Sequence, residues 1–173
     1  MRTQTRNILG FLALLLIAMI AATGLLPALI PAAWRPDLFV LALIPVALRA
    51  EPRWFLAAGF ATGLAKDATS GERIGPMMLL FLVSVPALGR LRRVLGADSP
   101  ITHAAFGVLG VWLTEGLAAV VRMYQQQSWL DAASARNLLG SSLITGLLAP
   151  AWVFAVEGFL RWRARRRGLG TGN

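Results

Sequence analysis

The chain contains no cysteine and a single histidine, His103. Without thiols there can be no disulfide, thiolate metal centre, iron-sulfur cluster or cysteine nucleophile, and one imidazole does not make a metal site. Charge is scarce as well. Only 14% of the 173 residues are charged, against roughly a quarter in an ordinary soluble domain. Serine hydrolysis lacks a base, since Ser84 and Ser141 sit in apolar runs with no partner pattern and His103 lies beside the Pro100 helix start. No cofactor motif is present. The sequence therefore reads as a protein that performs no chemistry of its own.

What is abundant is hydrocarbon, at 57% of residues. Apolar segments cover Ile8 to Ile30, Leu38 to Leu48, Trp54 to Ala65, Met77 to Leu88, Ile101 to Val121 and Leu138 to Leu160. This predicts an all-α, polytopic integral membrane protein of about six transmembrane helices, some of them short, packed in one compact bundle over residues 1–160 with a basic tail at 161–173. The first run, 23 residues long, exceeds the usual core of a signal peptide and is expected to stay as a spanning helix, ended or kinked by Pro27 and Pro31. Leu38 to Leu48 and Trp54 to Ala65 are too short to span alone. At 1.5 Å per residue, twelve residues reach about 18 Å, which suggests a helical hairpin inside the bundle.

Several polar positions stand out against this background. Asp37, after Pro36, sits where a carboxylate caps a helix start. Gly59 and Gly63 form a GxxxG ridge suited to close helix approach, either within the bundle or against a partner or second copy in a homodimer. The stretch Lys66 to Gly75 reads as a polar turn at a membrane face. In it Asp67, at the end of its helix, is expected to accept hydrogen bonds that lock the turn together with Ser70, Gly71 and Gly75. Glu115 lies alone within an apolar span, where a carboxylate is either half of an ion pair with Arg122 or the mark of a polar pocket. Glu157 and Arg161, four apart, are placed to pair.

The net charge of +9 comes from 16 arginines and one lysine. They cluster at segment edges, including Arg90, Arg92 and Arg93, which favours contact with anionic lipids at a membrane surface and not with nucleic acid. Counted on alternate sides of a six-segment topology, Lys and Arg divide 12 against 5, and the positive-inside rule then puts both termini in the cytoplasm.

Pro36-Asp37-Leu38, the Gly63-to-Gly75 stretch with Asp67, Ser70, Gly71 and Gly75, and the following Gly89-Arg90-Leu91-Arg92-Arg93 together resemble the MreD family of bacterial rod shape-determining proteins. The family's Pro-Asp opening, its Gly-rich helix running into Asp-x-x-Ser-Gly and its basic post-helix loop occur here in order over residues 36–95. Pro76 after Gly75 and Lys66 before Asp67 depart from the pattern. The resemblance implies a non-enzymatic subunit of the cell-elongation machinery in the bacterial inner membrane. It would act with an MreC-like bitopic partner and, indirectly, with MreB, RodA and RodA's transpeptidase partner in peptidoglycan synthesis. It also implies a six-helix arrangement similar to the substrate-binding subunits of energy-coupling-factor transporters, so the rival expectation is a small-molecule binding subunit of a membrane transporter.

Overall fold

The computed structural model describes residues 2–49, 51, 53–70, 75–95, 99–126 and 131–168. Among the described residues there is no strand, and six continuous helices account for nearly all of them. Helix α1 covers 2–29, passing through a π-helical turn at Ala21–Leu25. Pro27 has no N–H for the Thr23 carbonyl and its ring crowds that carbonyl, so the widened turn lies where the ladder is broken. A 3₁₀ turn, Ala32–Trp34, leads into α2, Leu38–Arg49. Helices α3, Arg53–Ser70, and α4, Pro76–Leu95, form a hairpin. Helix α5 covers 100–126 with a second π turn at Trp112–Gly116, and α6 is Ala132–Gly168.

Three helices contain stretches long and apolar enough to cross a bilayer: Leu9–Leu29, Pro100–Tyr124 and Ala132–Phe159. Their outer faces carry large exposed apolar side chains such as Leu16, Ile17, Ile20, Val120, Leu143 and Leu147. A run of this kind has lipid as its natural solvent. Helix α2 is different. Phe39 to Ile44, Ala47 and Leu48 are all buried, and a helix apolar on every side belongs in a core. It packs on α1, α3, α4, α5 and α6, so the shortest helix is the axis of the bundle.

Close backbone approach joins the others in pairs. A Cβ added at Gly63 would clash with the Met78 Cα, and one at Gly59 would lie 2.8 Å from the Phe81 carbonyl oxygen. The GxxxG ridge is therefore covered by α4 inside the bundle. Gly107 of α5 and Gly146 of α6 meet in the same way, 2.8 Å from a Cβ at Gly107 to the Gly146 Cα. Small residues let helices approach this closely where no aqueous hydrophobic effect drives them together.

The structure corrects several element boundaries expected from hydropathy. Helix α3 continues through Lys66 and Asp67 to Ser70, and α4 begins at Pro76. Arg90, Arg92 and Arg93 belong to the last turns of α4 and not to a basic loop. The polar stretch Met123 to Asn137 divides mostly between the end of α5 and the start of α6. Helix α6 runs unbroken through residues 161–168. The common reason is that charge does not end a helix whose backbone hydrogen bonds are satisfied internally; hydropathy marks where lipid contact stops, not where the helix does.

Candidate functional site

The end of α1, the 3₁₀ turn, the start of α2, the end of α3, the second half of α5 and the start of α6 converge at one end of the bundle. They enclose an open cleft of about 350 Å³. Its floor is a chain of charges. Lys66 of α3 is the only lysine of the protein, and its ammonium is ion-paired with Asp37 and lies 2.6 Å from Glu115 Oε1. Arg122 Nη2 stands 3.5 Å from Glu115 Oε2. The rings of Phe39 and Phe81 lie 6.0 and 5.5 Å from the Lys66 nitrogen. Burying these groups singly would cost several kcal/mol each, and the alternation of sign is what makes the arrangement tolerable.

Each side chain reaches this point for a local reason. Asp37 begins α2: its Oδ1 accepts the Phe39 and Val40 amides at 3.0 and 3.1 Å, and its own N–H donates to the Thr145 hydroxyl of α6 at 2.8 Å. The cap is thus also the counter-ion of Lys66. Glu115 lies in the π turn of α5, whose extra residue rotates the helix that follows. Glu115, Ala119 and Arg122 all line the cleft. Lys66, expected at an exposed interface, is instead 12% exposed, because α3 does not stop before it. Arg35 donates from Nε to the Ile30 carbonyl at 2.8 Å and from Nη2 to the Pro27 carbonyl at 3.4 Å, answering the unsatisfied carbonyls at the end of α1.

The next residue of α3, Asp67, is 2% exposed and serves the hairpin. Its Oδ2 accepts the Gly75 and Met78 amides at 2.8 and 3.1 Å, and its Oδ1 the Met77 amide at 3.1 Å. A side chain of α3 thereby caps the N-terminus of α4, where three N–H groups and the positive end of the helix dipole converge. Pro76 contributes no donor, as suits the first helical position. Gly75 has φ +128°, a conformation costly for any residue with a Cβ. Ser70 donates its hydroxyl to the Asp67 carbonyl at 2.9 Å, and Gly71 lies outside the described residues.

The opposite end of the bundle holds a second cluster. Glu157 of α6, 9% exposed in its side chain, pairs with Arg49 of α2 and, at 2.8 Å, with Arg161. Arg92 donates to the Leu48 carbonyl at 2.6 Å and lies over the Phe55 ring. Arg90 is exposed, and the Arg93 side chain is outside the described set. His103 is buried against Phe154, away from the cleft.

The structure therefore brings Asp37 and Glu115 together through Lys66, and keeps Asp67, Gly59, Gly63 and Gly75 in the α3–α4 hairpin. Sequence reasoning missed the partners of Lys66 and the contributions of Arg35, Asn137 and Ser141 to the cleft. A lone lysine at the end of an apolar helix was the available signal for the first. The spacing of Ser134, Asn137 and Ser141 along one face of α6 was the signal for the last. Among the described residues no group of three or more acidic or histidine side chains could hold a metal ion.

Compared with known families, residues 2–162 match the model described as rod shape-determining protein MreD. No curated protein and no solved structure matches the chain.

Proposed function

The chain belongs to the MreD family of rod shape-determining proteins, and from that membership we propose that it is a scaffold subunit of the bacterial elongation complex, binding an MreC-like single-span partner. It has a membrane-embedded role in rod shape, and the family is one of shape determinants, generally not enzymes. The observation that carries the proposal is the extent of the match, which runs from α1 well into α6. Transport of a small molecule, the rival expectation, draws no support from it.

In the proposed arrangement the protein is multi-pass in the inner membrane with both termini cytoplasmic, following the 12-to-5 bias of Lys and Arg. The cleft and the Asp67-capped hairpin then face the periplasm. The partner meets the hairpin end, not the Gly59/Gly63 ridge, which α4 covers. MreB, RodA and RodA's transpeptidase partner are reached indirectly. Basic residues at the other end meet anionic lipid.

Co-purification in mild detergent tests the proposal. Recovery of a single-span protein with a periplasmic coiled coil is the expected result, with loss of rod form on depletion. Recovery of an ATPase and its coupling subunit would overturn it.

A further inference from the structure

The charges of the cleft do not cancel. Lys66 and Arg122 offset Asp37 and Glu115, leaving the Asp37-Lys66-Glu115-Arg122 set neutral, while Arg35 also lines the cleft with no carboxylate of the described residues paired to it. Its two hydrogen bonds go to carbonyls, which leaves three of the five guanidinium N–H donors for something else. Arg122 is 40% exposed on the same cleft. Asn137 and Ser141 of α6 line the same cleft, and among the described residues neither side chain makes a hydrogen bond. A surplus cation sharing a cleft with unused neutral donors is the chemistry of a site for one singly charged anion.

The remaining wall is apolar. Ala22, Leu26, Leu38 and Leu138 line it, and beside them Leu25, Leu29 and Leu139 turn outward. A polar floor whose wall runs on into the lipid-facing surface suits an amphiphile and not a free ion. We propose that this cleft binds the phosphodiester headgroup of an anionic phospholipid, with Arg35 as the charge partner, Asn137 and Ser141 as neutral donors, and the first carbons of the lipid against Leu26 and Leu138. Phosphodiester is the singly charged anionic group that a bilayer supplies at this depth. The site is independent of the partner-binding role, and its test uses no partner.

The experiment is native mass spectrometry of the full-length chain in neutral detergent, titrated with phosphatidylglycerol or with phosphatidylcholine of the same acyl chains. Wild type should retain phosphatidylglycerol about tenfold better, the scale of one charge-assisted hydrogen-bonded contact. Arg35→Gln and, separately, Asn137→Leu should each remove most of that preference. Gly158→Ala, a change with open space around it at the other end of the bundle, should keep it. Arg35 also closes the end of α1, so Asn137→Leu carries the test if Arg35→Gln does not fold. Glycerophosphoglycerol separates the sources: displacement of bound lipid shows that the headgroup alone is recognised, and persistence shows that the acyl chains are required. Equal retention of the two lipids by wild type, or equal loss in Gly158→Ala and Asn137→Leu, overturns the assignment.

Discussion

Replacing Lys66 by methionine keeps the length of the side chain and removes the charge that joins α2, α3 and α5. Two carboxylates, Asp37 and Glu115, would then lose their shared partner; their side chains are 5% and 26% exposed. Breaking a buried pair from one side typically costs about 3–5 kcal/mol, because the remaining charge is stranded. Here the lower end applies. Asp37 keeps the Phe39 and Val40 amides, and Glu115 keeps Arg122, so about 3 kcal/mol is expected. For a chain of this size each kcal/mol moves the midpoint by roughly 2–4 °C, giving a fall of about 6–12 °C. The measurement is retention of the monodisperse peak after heating in detergent, at a fixed heating rate because such unfolding is commonly irreversible. The triple variant Asp37→Asn/Lys66→Met/Glu115→Gln removes the stranded charges too and should recover more than half of the loss. A Lys66→Met protein within 2 °C of wild type, or a triple variant no better than the single one, would refute the reasoning that the charges are mutually dependent.

Asp67→Ala leaves three amides of the α4 start without an acceptor and should cost about 3 kcal/mol, while Asp67→Asn, which retains one carbonyl oxygen, should cost about half as much by the same thermal assay. Gly63→Ala drives a methyl into the α4 backbone and should destabilise by about 1–3 kcal/mol; Gly10→Ala, with nothing within 4 Å, should be neutral or stabilising by up to about 1 kcal/mol. Asp131 caps α6 by accepting the Ser134 amide at 3.0 Å, and the hydrogen bonds from Ser134 hold its carboxyl below the usual aspartate range. A depressed carboxyl contributes above its unfolded pKa and loses that contribution as pH falls through the folded value, so exchange protection of the Ser134 amide should drop on acidification in wild type and be absent throughout in Asp131→Ala.

How much of this was legible depended on the reach of each interaction. The Glu157–Arg161 pair, observed at 2.8 Å, follows from an i,i+4 spacing that any helix brings together. Helix starts at Pro76 and Pro100 follow from proline's fixed φ and missing N–H. The fate of Lys66 was not legible. Its partners are 29 and 49 positions away in the chain, and nothing in local periodicity states which helix faces which. A lysine beside an aspartate at the end of an apolar run looks the same whether it snorkels to water or turns inward. Asp67 shows the same division: that a buried carboxylate needs donors is elementary chemistry, but that they are the amides of Gly75, Met77 and Met78 depends on how α3 and α4 close.

The sequence by itself determined the solvent of this protein, its helical class, the number of its helices and the family to which it belongs, because hydropathy, proline placement and motif order are properties of neighbouring residues. Only the tertiary structure decided that α2 is the axis, that the glycine ridge is used internally, and that a lysine, two carboxylates and two arginines from three separate stretches of the chain share one cleft. Those outcomes rest on distances between residues far apart in the chain, which packing sets and local order does not.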